Sequence, residues 1–393
     1  MCSPDTYISS VPIPADGIKQ ICYAACFIDP GVSGVCVTDG HFVVSLSSEV
    51  EPTKIEQGLE RLCARFSGLQ EDQSSPLFCV DAALDQHFFR ADDLAGQVVR
   101  IAPGLFRFGA SSSSILRFLD WVVLRDFAAP FGATEETYPN VIPIEKLSKT
   151  GHFSSFPEHL HFVTHLCEDL DILDAFASRA EGGADQVVPK ATEFAGSELV
   201  HNPATCYHCY AAREGSPLDE NTVVTAVTQC HRYESANHQQ FGRLMEFSLR
   251  EVVFLGDPDF VRDQREKVLR RVEDWVERWQ LFGQLVPAND PFFTNDFAPK
   301  AQQQRRLAMK YEYVANLGDE TDIAVLSSNL HGPTFGKAFD IKQNGRVVST
   351  GCLGFGLERL AMALMVQHGP DPQAWRGELG KDYKHWKSLD PLS

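Results

Sequence analysis

A glycine-rich segment near the carboxyl end of the chain carries residue types suited to a phosphorylated ligand. Gly351, Gly354 and Gly356 lie where a strand is expected to pass into an apolar helix, and Arg359 follows in the first helical turn. Glycine lets a ligand approach the backbone, a helix start offers free amide groups, and arginine adds a permanent cation. Glycine-rich turns also precede helices that bind nothing, so this spacing alone leaves both interpretations open.

A second segment combines arginine, glutamate and phenylalanine at strand spacing. Arg232 and Glu234 are two residues apart, and Phe247 and Glu251 are four apart in the next predicted strand, so each pair shares a sheet face. Two antiparallel strands joined by a short loop would place all four side chains on one wall. Arginine suits a phosphate and an aromatic ring suits a purine base, whereas a salt-bridged sheet surface is the structural alternative.

The cysteines of these regions allow more than one interpretation. Cys352, between the first two glycines, is either a small buried hydrophobe or a ligand at the floor of a pocket. Cys206 and Cys209 form a Cys-x-x-Cys pair, but a structural metal site would need a second such pair. We therefore expect Cys209 and Cys230 to be core residues.

The composition limits the class of protein. With 393 residues, 44% of them hydrophobic and 22% charged, the chain can form one large core or two domains of an ordinary soluble enzyme. Its net charge of −18 argues against a main role in binding nucleic acid. The sequence shows no signal peptide and no apolar run of about 18 residues, so we expect no membrane span. Eleven cysteines scattered over a long chain favour reduced thiols and a cytoplasmic location.

Periodicity predicts the elements that must position these residues. The predicted helices are Pro52–Phe66, a helix capped near Ser111–Ser114 that continues to Leu124, a helix from Asp257 ended by Gly283, and the apolar helix after Gly356. The predicted strands are Phe42–Leu46, Gln97–Phe108, a strand ending at Pro143, Asn221–Tyr233, Leu244–Leu255, Ala324–Ser328 and Ala338–Ile341. Strands clustered late, with long helices between them, predict an α+β fold around an antiparallel sheet flanked by helices.

The combined motifs resemble motifs 2 and 3 of class II aminoacyl-tRNA synthetases. The pattern is Arg-x-Glu, then Arg-x-x-x-Phe-x-x-x-Glu, then Gly-x-x-Gly-x-Gly-x-Glu-Arg, and Phe131–Pro143 resembles a looser motif 1. The order is similar to that of seryl-tRNA synthetases, and more similar still to truncated homologues of the archaeal-type enzyme that act as amino acid:[carrier protein] ligases. Those homologues share segments found here at Thr205–Tyr210, His231–Glu234 and Asp290–Phe293. The resemblance covers roughly residues 110–380, which divides the chain into an N-terminal α/β extension, 1–110, and a catalytic domain, 111–393.

The resemblance implies a zinc site in the amino acid pocket. Cys206, Glu251 and Cys352 match the three protein ligands, and the substrate amino group would take the open fourth position. Glu251 would thus also contact the substrate. Asn329, in the segment that precedes motif 3, is a candidate polar group for the substrate or ATP.

The resemblance also implies an ATP site. Arg232 would hold the α-phosphate and the substrate carboxylate, and Glu234 would orient ATP near the adenine. Phe247 would stack on the base, and Arg359 would cover the adenine and touch the γ-phosphate. The resemblance departs at one position, because Ile323 stands where seryl synthetases carry an acidic metal ligand, and Asp322 lies one place away. The ligands of the Mg²⁺ that accompanies ATP are therefore left open.

The implied reaction is AMP-forming activation of a small amino acid, with catalytic roles for Arg232, Glu234 and Arg359. A phosphopantetheine thiol on a carrier protein is the expected acceptor, because residues 1–130 show no sustained heptads for a tRNA-binding arm. A tRNA or small-amine acceptor and a non-catalytic sensor are the alternatives. By resemblance we also expect a homodimer.

One helix offers a basic face for an acidic carrier protein. A solvated charged surface, with Asp263 and Glu266 among the cations, is the structural alternative. The basic residues are Arg262, Arg265, Lys267, Arg270 and Arg271.

Overall fold

The computed structural model describes residues 5–66, 75–183, 187–288, 308–318 and 322–392, and the predicted Asp290–Phe293 segment lies outside them. The strands are β1 (Asp5–Ile8), β2 (Val32–Thr38), β3 (His41–Leu46), β4 (Phe78–Val80), β5 (Val98–Ala102), β6 (Leu105–Phe108), β7 (Thr134–Glu135), β8 (Val141–Pro143), β9 (Phe162–Val163), β10 (Leu199–His201), β11 (Pro217–Leu218), β12 (Thr222–His231), β13 (Glu246–Gly256), β14 (Gly283–Pro287), β15 (Lys310–Ala315), β16 (Ile323–Gly332), β17 (Lys342–Gln343), β18 (Arg346–Val347) and β19 (Ser349–Gly356). The helices are α1 (Ile18–Ala25), α2 (Pro52–Phe66), α3 (Ala110–Val123), α4 (Ile144–Ser148), α5 (His152–Ser155), α6 (Leu170–Ala180), α7 (Cys206–Ala211), α8 (Pro258–Trp279), α9 (Thr334–Ala338), α10 (Leu357–His368) and α11 (Gly377–Lys387).

An eight-stranded sheet organises the catalytic part of the chain, in the order β4-β14-β15-β16-β19-β13-β12-β7. Neighbouring strands are antiparallel, except that β7 runs parallel to β12 at its edge. The α+β class predicted from the sequence is confirmed, with a mixed rather than a purely antiparallel sheet. The central strands are almost wholly buried, β13 from Leu249 onwards and β19 from Ser349 to Phe355.

Helices α3, α8, α10 and α11 cover one face of this sheet and form the main core with it. Phe355 of β19 shows the packing, because its ring lies 5.0 Å from that of Phe127 and 6.0 Å from that of Trp275. Helix α10 is buried along almost its whole length, in keeping with its mostly apolar sequence between Leu360 and Val366. The opposite face of the sheet lines a cavity.

The N-terminal residues form a smaller lobe with a core of its own. Strands β1–β3 make a three-stranded sheet on which α1 and α2 pack. The fully buried contacts include Ile21 of α1, Ile55 and Leu59 of α2, and Phe42 of β3. Strand β4 pairs with β14 at the edge of the large sheet, and β5 and β6 form a hairpin. The division of the chain at residue 110 stays a prediction.

Three local predictions are wrong for identifiable reasons. Gln97–Phe108 is a hairpin, because Gly104, with φ of 72°, makes the turn that separates β5 from β6. Helix α8 ends at Trp279, where Gln280 takes a left-handed conformation, and Gly283 begins β14 instead. Ala338–Ile341 is not a strand: Ala338 ends α9 and the next residues form a turn, since a short apolar run does not distinguish a strand from a helix.

A smaller difference concerns the start of helix α3. Helix α3 begins at Ala110, so the serines expected to cap it lie within its first turns, where Ser112 Oγ donates to Gln97 O at 2.8 Å. Among the described residues, no helix combines the length and the apolar character that crossing a membrane requires.

Candidate active site

A cavity of about 700 Å³ opens on the uncovered face of the large sheet. Strands β13, β16 and β19 form its floor, and α1 of the N-terminal lobe with residues 150–159 contributes to its rim. The structure brings all the site residues predicted from the sequence to its walls: Cys206, Arg232, Glu234, Phe247, Glu251, Asn329, Cys352 and Arg359.

Cys206, Glu251 and Cys352 form a cluster at one end of the cavity. One ligand atom from each lies within 4.8 Å of the others, and all three residues are buried. Cys352 Sγ donates to Glu251 Oε1 at 3.7 Å, and the Cys206 backbone N–H donates to the other carboxylate oxygen. No other group of three or more histidine, cysteine or acidic ligands lies this close together among the described residues.

The sheet register explains how the cluster forms. Glu251 of β13 pairs with Gly354 of β19, so no side chain opposite the carboxylate fills the space that it occupies. A Cβ at Gly354 would lie 3.3 Å from both Cγ and Oε1 of Glu251. Cys352, two residues earlier, points to the same face, and Cys206 enters from the first turn of α7.

The electrostatics of the cluster suit a cation. Burial, followed by the charge of Cys352, raises the pKa of Glu251 well above the ordinary carboxyl value. The hydrogen bond between the two thiols raises the pKa of Cys206 and lowers that of Cys352. Two thiolates and one carboxylate match the donors that zinc takes in catalytic sites with an open position.

Two polar side chains of β16 flank the cluster. Asn329 Nδ2 donates to Cys352 Sγ at 3.5 Å, and His331 Nε2 lies 4.0 Å from the same sulfur. His331 Nδ1 lies 3.3 Å from the hydroxyl of Tyr210 and 3.2 Å from that of Thr350. Sequence reasoning missed His331, although its place two residues after Asn329 puts it on the same strand face.

The other end of the cavity is cationic. Arg232 donates through Nε and Nη2 to Pro203 O at 3.1 and 3.0 Å, and its guanidinium lies 5.3 Å from the Phe247 ring centroid. Arg232 and Glu234 lie beyond the end of β12 at His231, so the predicted strand spacing does not explain their shared location.

Arg243 is a further residue of this end that the predicted site set lacked. Its Nη1 donates to Glu234 Oε2 at 3.0 Å, and it lines the cavity with Arg359. Arg359 Nε donates to Gly242 O at 2.8 Å, and burial, followed by the charge of Arg243, lowers its pKa to about 10. Arg243 stands four residues before Phe247 in the motif, and that spacing was the available signal.

The geometry does not favour the alternative in which Cys206 and Cys209 hold a structural metal ion. Cys209 packs in an apolar cluster with Tyr210, and its thiol faces Thr205 O at 4.0 Å. Cys230 is also fully buried, and burial raises its pKa to about 11. Both cysteines behave as core residues, as the sequence predicted.

Two acidic residues line the cavity near the position where seryl synthetases carry an acidic metal ligand. Ile323 belongs to the main core, and Asp322 lines the cavity while its carboxylate accepts from Leu317 N at 3.1 Å. Glu312, also on the cavity wall, pairs with Lys310 at 2.8 Å.

Solved structures with a similar fold include seryl-tRNA synthetases. The Methanopyrus kandleri enzyme, in complex with A. aeolicus tRNASec, has a TM-score of 0.68 and 19% identity, covering 98% of this chain and 77% of that one. The Pyrococcus horikoshii enzyme complexed with ATP has a TM-score of 0.54 and 12% identity, covering 81% of this chain and 74% of that one. The similarity shows that the chain has the fold of class II aminoacyl-tRNA synthetases.

Curated proteins with similar sequences indicate the family within this fold. Amino acid–[acyl-carrier-protein] ligase 1 of Bradyrhizobium diazoefficiens is 34% identical over 243 residues, 61% of this chain and 72% of the relative. A type-2 serine–tRNA ligase of Methanocaldococcus jannaschii is 25% identical over 293 residues, covering 71% and 56%. No family model matches the chain. The chain belongs to the family of amino acid–[acyl-carrier-protein] ligases.

Proposed function

We propose that the protein activates a small amino acid with ATP and transfers it to the phosphopantetheine thiol of a carrier protein. The observation that carries this proposal is the single cavity that holds both the Cys206–Glu251–Cys352 cluster and the arginines Arg232 and Arg359. An amine-binding end and a phosphate-binding end in one cavity suit the condensation of an amino acid with ATP. The Bradyrhizobium relatives are named for this class of ligase.

In the activation step, a carboxylate oxygen of the amino acid attacks the α-phosphorus of ATP and pyrophosphate leaves. Arg232 and Arg359 provide fixed positive charge for the phosphates and the substrate carboxylate. Arg243 holds Glu234 in position at the nucleotide end through their 3.0 Å ion pair. Catalysis then rests on orientation and charge stabilisation, because a phosphoryl or nucleotidyl transfer needs little further chemistry from the protein. Magnesium is proposed to enter with the ATP phosphates.

At the other end of the cavity, Cys206, Glu251 and Cys352 would hold zinc, which supplies a Lewis acid that selects a free α-amine. Asn329 and His331 beside Cys352 keep the thiolate oriented through hydrogen bonds. The cavity volume of about 700 Å³ is within the range of roughly 300–1,000 Å³ that is usual for ligand pockets.

In the transfer step, the thiol sulfur attacks the carbonyl carbon of the adenylate, the bond to the phosphate oxygen breaks, and AMP leaves. A carrier protein is acidic, so we propose that it docks on the cationic residues of α8. Arg262, Lys267 and Arg270 are exposed and pair with acidic neighbours on the same helix. Arg265 does not belong to this surface, because it is buried with its guanidinium 4.7 Å from the Tyr311 ring.

The proposal extends to the assembly and the location of the protein. By resemblance to class II enzymes, we propose a homodimer whose interface includes the Phe131–Pro143 segment. A cytoplasmic location agrees with the ten cysteines of the described residues, all of which are free thiols.

Pyrophosphate exchange tests the activation step. Purified protein with ATP and labelled pyrophosphate should form labelled ATP only when a suitable small amino acid is present. A chelator that removes zinc should abolish the exchange, and added zinc should restore it. Exchange with none of the twenty amino acids would refute the activity.

Intact-mass measurement tests the acceptor. A pantetheinylated carrier protein should gain the mass of one aminoacyl group, and hydroxylamine should remove it because the product is a thioester. The same carrier without its phosphopantetheine is the control and should not react. Charging of bulk tRNA with no modification of the carrier would favour the alternative acceptor.

A further inference from the structure

The loop between β12 and β13 is hydrogen-bonded to the N-terminal lobe. It includes a short helical turn, Ser235–Gln239, and connects the nucleotide-end residues Glu234 and Arg243. Ser235 Oγ donates to Cys26 O at 2.9 Å, and Asn237 Nδ2 donates to Tyr23 O at 3.1 Å. Both acceptors lie at α1, so this helix supports one side of the loop.

The β5–β6 hairpin supports the other side of the same loop. Arg100 donates to the side chain and to the backbone oxygen of Gln239, at 3.1 and 2.8 Å. Met245 N donates to Gly104 O at 2.8 Å. A Cβ at Gly104 would lie 2.7 Å from His238 Nδ1, so the hairpin turn approaches the loop as closely as glycine allows. Residues from two elements of the N-terminal region therefore enclose the loop.

Inside the loop, the buried residues Asn237 and His238 hold Glu234. Asn237 Nδ2 also donates to Glu234 O at 2.9 Å, and Glu234 N donates to His238 Nε2 at 2.9 Å. The single amide of Asn237 thus joins Glu234 to the backbone of Tyr23 in α1. Movement of α1 would be transmitted directly to the backbone of Glu234.

Tyr23 also reaches the nucleotide end through its ring. The Arg243 guanidinium carbon lies 5.7 Å from the Tyr23 ring centroid, and Arg243 donates to Glu234 Oε2. Tyr23 lines the cavity together with Lys19 and Gln20 of α1. The aromatic face attracts the cation and restricts its orientation, and this attraction grows where solvent is excluded.

We propose that Tyr23 is a positioning residue for ATP and that the N-terminal lobe is a functional part of the nucleotide site. The Tyr23 ring holds Arg243, Arg243 holds the Glu234 carboxylate, and Asn237 holds the Glu234 backbone against α1. This inference rests on the proposed use of ATP. It adds that the lobe sets the affinity for the nucleotide and leaves the amino acid end unaffected, because Cys206, Glu251 and Cys352 make none of these contacts with α1.

Three variants test the proposal in the zinc-loaded full chain. Tyr23→Leu keeps an apolar side chain and removes the aromatic face, Tyr23→Phe keeps the face, and Asn237→Ala removes the link to Glu234. Tyr7→Leu is the matched control, since Tyr7 is a tyrosine of the same lobe whose hydroxyl donates to Glu56 at 2.6 Å, remote from the loop. Melting temperatures and zinc content show whether each variant is folded and loaded.

We expect Tyr23→Leu and Asn237→Ala to raise the KM for ATP in pyrophosphate exchange about tenfold, an effect of the size of a partly desolvated cation–π contact or a buried hydrogen bond. The KM for the amino acid should change less than about twofold, and Tyr23→Phe and Tyr7→Leu should match the wild type. An unchanged KM for ATP in folded Tyr23→Leu overturns the proposal. So does an equal rise in both KM values, which indicates a general structural effect.

Calorimetric titration with a non-hydrolysable ATP analogue separates this inference from the proposed reaction. The dissociation constant should rise about tenfold in Tyr23→Leu relative to Tyr7→Leu, whether or not any amino acid is activated. Nucleotide binding without exchange would refute the reaction and keep the inference. Equal dissociation constants in the two variants, or no binding by the wild type, would refute the inference.

Discussion

The sulfur of Cys352 lies 3.7 Å from a carboxylate oxygen of Glu251, although 101 residues separate them in the chain. Adjacent antiparallel strands bring them together, and Gly354 opposite Glu251 leaves the space for its side chain. A one-residue shift of either strand would turn its residue to the other face of the sheet. The proposed metal site thus depends on strand register as much as on residue type.

Replacement of Cys352 should remove the metal without unfolding the protein. Cys352→Ala deletes one of three proposed ligands, so bound zinc should fall from one per chain to near zero, and amino-acid-dependent exchange should fall with it. Metal analysis of purified protein provides the measurement. Cys209→Ala is the control, because Cys209 is equally buried on α7 and lies outside the cluster. Equal zinc content in both variants would refute the ligand assignment.

A methyl group at Gly354 should weaken zinc binding. Gly354→Ala brings its Cβ to 3.3 Å from Glu251 Cγ and Oε1, a tight contact that forces the carboxylate out of its present position among the proposed ligands. We expect the zinc dissociation constant to rise about 10-fold to 100-fold, as for other groups that orient a metal ligand. Competition with a chromophoric chelator measures the constant. Gly356→Ala should keep the wild-type value, since its Cβ meets no atom closer than 3.9 Å.

Conservative replacement of Arg359 should impair catalysis more than folding. Arg359→Lys keeps the charge but loses the planar group that donates to Gly242 O and faces the nucleotide end. We expect the kcat of pyrophosphate exchange to fall about 100-fold, the usual effect of removing one charge-stabilising donor. Zinc content and melting temperature should stay close to wild type. A kcat within about threefold of wild type would place Arg359 outside the catalytic set.

Glu358 should make stability depend on pH. Its carboxylate accepts from Ser248 N and Oγ at 2.7 Å, and burial raises its pKa from 4.5 to about 7. Between these values the folded protein retains a proton that the unfolded chain releases. The free energy of unfolding should therefore decrease as pH rises from about 4.5 to about 7, by up to about 3 kcal/mol.

Comparison with Glu358→Gln isolates this contribution, because the amide does not titrate. Urea unfolding at several pH values should show the wild type losing stability relative to the variant as pH rises. The difference should level off above about pH 7. Parallel curves for the two proteins would contradict the assignment to Glu358.

Periodicity and motif spacing were sufficient for much of the fold. Helix α2 has the predicted bounds, and the predicted strands Asn221–Tyr233 and Leu244–Leu255 match β12 and β13 within two residues at each end. Long, strongly patterned segments succeed because one periodicity dominates them. The strand prediction for the short apolar run Ala338–Ile341 was wrong. Its apolar residues are buried in a cluster with Phe335, so their hydrophobic character did not require a strand.

Charge patterns were less reliable than apolar ones. Arg265 was expected on the exposed face of α8, but it is buried, and burial lowers its pKa to about 10. Its position in the helix agrees with burial, because Val261 and Val268, within four residues on either side, belong to the core face. Only the tertiary structure showed the partner of the buried cation, the ring of Tyr311.

The sequence by itself determined the residue types of the site, the α+β class and the family to which the motifs belong. These are local properties, because spacing along a strand or into a helix is a function of the chain alone. Only the tertiary structure decided that Cys206, Glu251 and Cys352 meet, that His331 and Arg243 join them in one cavity, and that Tyr23 of the N-terminal lobe reaches the nucleotide end. Such contacts depend on strand register and lobe packing, which arise from many residues at once and from no single motif.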